Sequence, residues 1–202
     1  MGKQVQVING GQPGYTSFQG LWLWDEALGE LDADVVLLGF VVQDARRAAY
    51  SDLSQALLQK RTNLVGDWRY EWALYRFLLR QTGRWQSEAK ERGTDEQDMP
   101  HRVSPEDYLE NLRALIRRVQ DSGGTPVLFG YPLEVEGYTE LHRAIMKNLA
   151  VSEGVPHLDP SELTRNRSDY YFVNDRGHAN AAGNDAIAEA VAQFLVAEGL
   201  IQ

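Results

Sequence analysis

The sequence predicts an α/β fold in which a parallel sheet is covered by helices on both faces. Short runs of β-branched and aliphatic residues alternate with longer segments of helical periodicity. Glycine-rich or polar segments follow the short runs directly, as loops after parallel strands do. The chain has 202 residues, the length of one ordinary domain, and it contains no internal repeat and no linker. We therefore expect one domain that spans residues 1–202.

The predicted strands are short and apolar. They are Val5–Ile8, Asp34–Phe40, Pro126–Gly130 and Val155–Leu158. The run from Asp34 to Phe40 is nearly continuous in apolar residues, which is typical of a strand buried on both faces. We expect the segments 5–8, 35–40 and 126–130 to be parallel.

The predicted helices begin at capping residues or carry apolar stripes. Thr16 and Gln19 form a capping box at the start of the first helix. Ser104 and Pro105, followed by two acidic residues, start a helix that carries an apolar stripe. The stripe consists of Tyr108, Leu112, Leu115, Ile116 and Val119. Further helices are predicted at 138–153 and 180–199.

Residues from about 50 to 100 interrupt the simple alternation of strands and helices. Apolar positions in this region predict two helices, and a polar stretch from Gln86 to Asp98 follows them. We interpret the region as a helical insertion that ends in a loop. Its aromatic cluster is predicted to be a helix core, or a lid if the insertion folds back over a site. The cluster consists of Trp68, Trp72, Tyr75 and Trp85.

Composition excludes several functional classes. Against 29 acidic residues there are 20 basic ones, and the net charge of −9 argues against binding to nucleic acids or anionic membranes. The absence of cysteine excludes disulfides, thiolate metal sites and cysteine nucleophiles. No apolar run approaches 18 residues, and the first residues lack the apolar core of a signal peptide. We expect a soluble protein without a membrane span, and the sequence leaves its compartment open.

Three segments combine turn residues with polar groups directly after predicted strands, where ligand sites of open α/β sheets lie. The first is Asn9–Ser17, which reads Asn-Gly-Gly-Gln-Pro-Gly-Tyr-Thr-Ser. The second is the pair Gln43 and Asp44, and the third is Asp175–Asn180, which reads Asp-Arg-Gly-His-Ala-Asn. Taken alone, glycines in such a turn are ordinary turn formers, and an Asp three residues before a His is an ordinary ion pair.

Taken together and in this order, the three segments resemble blocks of the SGNH (GDSL-type) hydrolase superfamily. Asn9–Ser17 resembles the block whose glycine, here Gly14, gives a backbone N–H to the oxyanion hole. Gln43 and Asp44 stand where the family carries Asn-Asp, and the family's Asn side chain is the other oxyanion donor.

The third segment carries the most specific part of the resemblance. Asp175 and His178, with Asn180 and Gly183 behind them, resemble the block that supplies the Asp and His of the catalytic triad. The resemblance spans nearly the whole chain. It implies a flavodoxin-like three-layer α/β/α fold, an esterase or acyl-ester hydrolase, a small-molecule or carbohydrate ester as substrate, and no metal or cofactor.

Triad chemistry assigns a role to each of these residues. By the resemblance, Asp175 accepts a hydrogen bond from Nδ1–H of His178 and fixes its tautomer. His178 Nε2 then takes the proton of a serine hydroxyl as it attacks an ester carbonyl. Gly14 and Gln43 stabilise the oxyanion that forms.

Two departures from the family pattern limit this interpretation. Gln43 stands in place of Asn, and it carries the same amide donor one methylene further out. The family's Gly-Asp-Ser block, which bears the nucleophile after the first strand, has no counterpart among the 18 glycines of this chain. If that strand is missing, we expect the sheet edge beside residues 5–8 to be closed up or covered by a partner chain or a second copy.

Three explanations of the missing nucleophile remain open. The strand and its serine belong to a segment upstream of Met1, or the chain is a non-catalytic relative that keeps the pocket for binding. In the third explanation a serine elsewhere replaces it, and Ser17 is the nearest to the glycine turn. Against the third, Ser17 is more simply explained as a residue whose hydroxyl meets a free N–H at the helix start.

Overall fold

A computed structural model describes residues 5–57, 99–133 and 137–201. At its centre is a parallel three-stranded sheet in the order β1-β2-β3. The strands are β1 (Val35–Leu38), β2 (Thr125–Phe129) and β3 (His157–Leu158). The register pairs Val35 with Thr125 and Leu128 with His157. Together with the helices that follow each strand, this sheet confirms the predicted α/β class.

The described helices follow the order expected from the sequence. They are α1 (Ser17–Glu26), α2 (Val42–Ala45), α3 (Pro105–Asp121), α4 (Glu140–Glu153), α5 (Ser161–Thr164) and α6 (Ala181–Ala197). Short 3-10 turns lie at Leu28–Glu30, Gly137–Thr139 and Ser168–Tyr170. At the start of α3, the Ser104 hydroxyl accepts a hydrogen bond from the Asp107 N–H at 3.1 Å, as its N-cap position predicts.

The core lies between α3, the sheet and α4. All five residues of the predicted α3 stripe are at most 1% exposed. Met146 and Leu149 of α4 pack against them in the same cluster. Burying a side chain of this size stabilises the fold by about 1.5–3 kcal/mol, so the stripe is the main anchor of the helical layer on the sheet.

The N-terminal segment departs from the prediction. Residues 5–8 form no strand, and Val5, Val7 and Ile8 are 60%, 87% and 53% exposed. A strand is stable when a neighbour accepts its backbone hydrogen bonds, and no described strand lies beside this segment. For the same reason β1 is an edge strand, and its Leu37 is 40% exposed rather than buried. The prediction that β1 is buried on both faces is therefore wrong at this residue.

The residues that flank the predicted insertion lie against each other. Ala48 N–H donates to the Pro100 carbonyl at 3.0 Å. Arg102 N–H donates to the Arg46 carbonyl, and Asp52 N–H donates to the Arg102 carbonyl, each at 2.7 Å. Residues 52–57 are helical, whereas the rest of the insertion, with its aromatic cluster, lies outside the described residues. The single-domain organisation and the insertion stay predictions.

An antiparallel pair of short strands precedes α6. It consists of β4 (Tyr171–Phe172) and β5 (Asp175–Ala179), joined by a turn in which Asn174 has a φ of 65°. This pair is not among the predicted elements. Asn180 caps α6, since its Oδ1 accepts a hydrogen bond from the Gly183 N–H at 3.1 Å. Within the described residues, no helix is long and apolar enough to cross a membrane.

Candidate active site

Asp175 and His178 form a hydrogen-bonded pair on β5. Nδ1 of His178 lies 2.7 Å from Oδ2 of Asp175. Oδ1 of the same carboxylate accepts the backbone N–H groups of Gly177 and His178, at 3.0 and 3.2 Å. These contacts hold the pKa of Asp175 below its ordinary value, mainly through the Gly177 N–H and then through His178. The carboxylate is therefore charged at neutral pH and oriented by its own strand.

The imidazole of His178 faces solvent. Its side chain is 78% exposed, and that of Asp175 is 44% exposed. An ionised carboxylate accepts but does not donate, so this contact favours the tautomer of the neutral imidazole that has its proton on Nδ1 and a lone pair on Nε2. This is the protonation state that a general base needs.

Tyr131 lies near the pair. It follows the carboxyl end of β2, and both the charge of Asp175 and the backbone of Ala179 act on its hydroxyl. Burial raises the pKa of Tyr131, and the negative charge of Asp175 raises it further. The β4–β5 pair therefore stands at the carboxyl end of the parallel sheet.

Gly14 occupies the third position of a tight turn before α1. The Tyr15 N–H donates to the Gln12 carbonyl at 3.2 Å, with Pro13 and Gly14 between them. Gly14 has a φ of +80°, which a type II turn requires at this position and which L side chains rarely adopt. Its carbonyl accepts a hydrogen bond from Nη1 of Arg102 at 2.8 Å.

Gln43 contacts the same nitrogen of the Arg102 guanidinium. It lies on α2, directly beyond the carboxyl end of β1. Its Oε1 accepts a hydrogen bond from Nη1 of Arg102 at 3.2 Å. The two predicted oxyanion donors, Gly14 and Gln43, are thus brought together by Arg102. This arginine is not among the predicted site residues, because a lone arginine after a long polar stretch carries no spacing signal.

Asp44 of α2 and Ser17, the first residue of α1, form a buried pair. The side chains are 0% exposed, and the Ser17 hydroxyl donates to Oδ1 of Asp44 at 2.5 Å. Asn111 in turn donates to the Ser17 hydroxyl at 3.1 Å. A buried hydroxyl engaged in this way does not meet a substrate, so the hypothesis of Ser17 as a replacement nucleophile is wrong. Its hydroxyl also contacts a carboxylate rather than the free backbone N–H that was predicted.

No serine partner of His178 is found in the described part of the chain. Its imidazole has one hydrogen-bond partner there, the carboxylate of Asp175. Two other histidines contact backbone carbonyls. His142 is fully buried with Nε2 at 3.2 Å from the Val103 carbonyl, and His101 Nδ1 lies 2.8 Å from the Ala45 carbonyl. The described residues include no group of metal-binding side chains.

Two solved structures of enzymes share this fold. LAE5, described as an alpha/beta hydrolase enzyme from the metagenome of Lake Arreo in Spain, gives a TM-score of 0.55 at 18% identity. The similarity covers 94% of this chain and 70% of that one. A variant of Axe2, an acetyl-xylooligosaccharide esterase from Geobacillus, gives a TM-score of 0.54 at 15% identity. Here the coverage is 90% of this chain and 68% of that one.

Sequence comparison adds no family assignment. No protein-family model matches the chain, and no curated protein sequence matches it significantly. At identities of 18% and 15%, the likeness to LAE5 and Axe2 concerns the fold. The chain therefore has an α/β fold that is also found in hydrolases and esterases.

Proposed function

We propose that this chain belongs to an acyl-ester hydrolase of the SGNH type, in which His178 is the general base and Asp175 orients it. The 2.7 Å contact between His178 Nδ1 and Asp175 Oδ2 carries the proposal. Two further features support it: Nε2 faces solvent, and Gly14 and Gln43 meet at one guanidinium near the carboxyl end of the sheet.

In the proposed reaction, Asp175 and His178 have the roles of the acid and base of a serine triad. His178 Nε2 accepts the proton of a serine hydroxyl while the serine oxygen attacks the ester carbonyl. The imidazolium that forms is stabilised by the charged Asp175 carboxylate. The Gly14 N–H and the Gln43 side-chain amide stabilise the oxyanion, and His178 then protonates the leaving alcohol. Water completes the cycle by the same steps and releases the acid, without a metal or cofactor.

The nucleophile comes from a strand that pairs with the exposed edge of β1. Leu37 on that edge is 40% exposed. The apolar residues Val5, Val7 and Ile8 are also exposed, and they pair with no described strand. Open edges of this kind are normally covered or paired. The fold neighbours are also longer, since the similarity covers 70% and 68% of their chains.

The substrate is a small-molecule or carbohydrate ester. The exposed position of His178 suits an acyl group presented on a larger alcohol. Of the fold neighbours, Axe2 is named as an esterase of acetylated xylooligosaccharides. An acetylated sugar is therefore the first substrate to assay.

The decisive experiment adds the sequence that precedes Met1 in the genome. The extended protein is expressed and treated with a fluorophosphonate, and the labelled residue is identified by mass spectrometry. We expect labelling of a serine in a Gly-Asp-Ser sequence upstream of Met1, together with hydrolysis of acetylated sugars. Both should be lost in the matched variant His178→Ala.

The opposite outcome favours a non-catalytic binding module. An in-frame stop codon directly before Met1 would exclude the upstream serine. If no serine of the native protein were labelled, the fold would serve in ligand binding, a function that the lack of a serine partner for His178 in the described residues also supports.

A further inference from the structure

Arg102 connects every part of the proposed oxyanion site. Its Nε and Nη2 each lie 3.0 Å from a different oxygen of Asp52. Its Nη1 donates to the Gly14 carbonyl at 2.8 Å and to Gln43 Oε1 at 3.2 Å. One planar group therefore fixes the turn before α1, the start of α2 and the residue at the entrance of the insertion.

The guanidinium itself is held firmly. Its backbone bonds to residues 46 and 52 fix the main chain on both sides. Asp52 is 7% exposed, and its Oδ2 also accepts the Thr16 hydroxyl at 2.6 Å. The pair is bidentate and partly buried, with the Arg102 side chain 21% exposed, and its several partners favour one geometry. Arg102 therefore acts as a rigid platform for the groups it contacts.

Contact with an arginine determines which way the Gln43 amide faces. A guanidinium donates and does not accept, so it binds the amide oxygen of Gln43 and leaves Nε2 on the far side. Glutamine has one more rotatable bond than the asparagine usual in the resembled family. Its amide can therefore adopt more orientations unless a contact fixes it. The bond to Arg102 removes that freedom and orients the amide N–H groups away from the guanidinium.

We propose that Arg102 is a positioning residue: it orients Gln43 and the Gly14 turn as oxyanion donors. The inference rests on the proposed function for its catalytic meaning. Its structural content, that Arg102 immobilises the Gln43 amide, is independent of activity.

The first test measures the Gln43 side chain by NMR in the chain of 202 residues. In the wild type, the heteronuclear NOE of its amide group should approach backbone values, whereas exposed Gln12 should be mobile. Arg102→Lys keeps a positive charge beside Asp52, but one ammonium cannot contact Asp52, Gly14 and Gln43 together. We expect the Gln43 amide to become as mobile as Gln12 in this variant.

Arg118→Lys is the matched control. Arg118 makes a bidentate pair with Asp25 at the surface, so the variant changes the same chemistry away from the site. Gln43 should stay ordered in it. The positioning role is excluded if Gln43 is already mobile in the wild type, or if it stays ordered in Arg102→Lys. The wild-type comparison holds even if Arg102→Lys does not fold.

A second test applies to the extended, active protein. Arg102→Lys should lower kcat about 10- to 100-fold and leave KM nearly unchanged, because the donors act on the oxyanion rather than on the bound ester. The double variant Arg102→Lys with Gln43→Leu should lose little more kcat than Gln43→Leu alone. Full additivity would contradict the inference. An inactive extended protein with an ordered, Arg102-dependent Gln43 would contradict the proposed function and leave the positioning role standing.

Discussion

The carboxylate of Asp44 holds the start of α1 through Ser17. Its Oδ1 lies 2.8 Å from the Ser17 backbone nitrogen and 2.5 Å from the Ser17 hydroxyl, whereas its Oδ2 is buried without a hydrogen-bond partner. Burial raises the pKa of this carboxyl from 3.8 to about 6 against the opposing effect of Ser17. The residue that joins α2 to α1 is therefore a buried titratable group.

Asp44→Asn should change how the free energy of unfolding depends on pH. Because the folded-state pKa of Asp44 is raised, its ionisation destabilises the fold as pH rises from about 4 to above 6. A shift of this size corresponds to about 3 kcal/mol at most. Asparagine keeps an oxygen that accepts the hydrogen bonds from Ser17. Because its side chain does not ionise, the loss of stability at higher pH disappears. Urea unfolding at pH 4.5 and 7.5 should show that the variant gains stability, relative to the wild type, as pH rises. An unchanged pH difference would contradict the prediction.

His142→Gln should have the opposite effect. Burial lowers the pKa of His142 from 6.5 to about 4, so its protonation destabilises the fold as pH falls through that range. In the wild type, His142 makes the fold more stable as pH rises, whereas Asp44 makes it less stable. The two groups together therefore give a free energy of unfolding that changes little with pH. Glutamine keeps a donor for the Val103 carbonyl but does not titrate. The same urea experiment should show the variant losing stability, relative to the wild type, as pH rises; parallel profiles would refute it.

His178→Ala should raise the pKa of Asp175 only part of the way to its ordinary value. The largest cause of the lowered pKa is the Gly177 N–H, which the substitution leaves in place, and His178 comes second. NMR titration of the Asp175 carboxyl carbon measures the pKa directly. A complete return of the Asp175 pKa to 3.8 would contradict this, because it would mean that the imidazole alone lowers that pKa.

Gly183→Ala should destabilise the protein although alanine favours helices. A Cβ at Gly183 would lie 2.2 Å from the Tyr170 carbonyl oxygen, so α6 would have to move away. Overpacking of this kind costs about 1–3 kcal/mol, more than the roughly 1 kcal/mol gained in helix propensity. Ala192→Gly, at an exposed position of α6, is the control and should lose only the propensity. Urea unfolding measures the stability of both variants. A Gly183→Ala variant more stable than the wild type would disprove the close approach of Gly183 to the Tyr170 carbonyl.

The chain of 202 residues, tested alone, should hydrolyse 4-nitrophenyl acetate no faster than its His178→Ala variant. Without a nucleophilic serine beside it, the pair formed by Asp175 and His178 has only water to activate. A fluorophosphonate adduct on any serine of this chain would contradict the expectation and place the nucleophile inside it.

Sequence reasoning worked where the signal is local. The cap at Ser104 and the stripe of α3 follow from spacing alone, and the structure agrees with both. It failed where tertiary neighbours decide. Spacing alone does not separate Trp22 from Trp24 on α1: Trp22 is 58% exposed and Trp24 is buried, because α1 packs on α3 through the face that carries Trp24. Residues 5–8 have strand composition but no described neighbour to pair with.

The candidate site shows the same division. Asp175 and His178 lie three residues apart, so their contact is encoded locally, although on a strand rather than in a turn at a helix start. Arg102 is 88 residues from Gly14 and 59 from Gln43, and no local pattern connects them. Finding it requires the fold.

The two ends of the predicted insertion are joined by described residues on either side of it. Backbone hydrogen bonds connect residues 46–52 with residues 100–102, and the ion pair of Asp52 and Arg102 adds to them. The entropy of closing a chain segment grows slowly with its length, by about 0.6 kcal/mol for each doubling. We therefore expect the contacts of Arg102 to tolerate changes in the length of the enclosed segment.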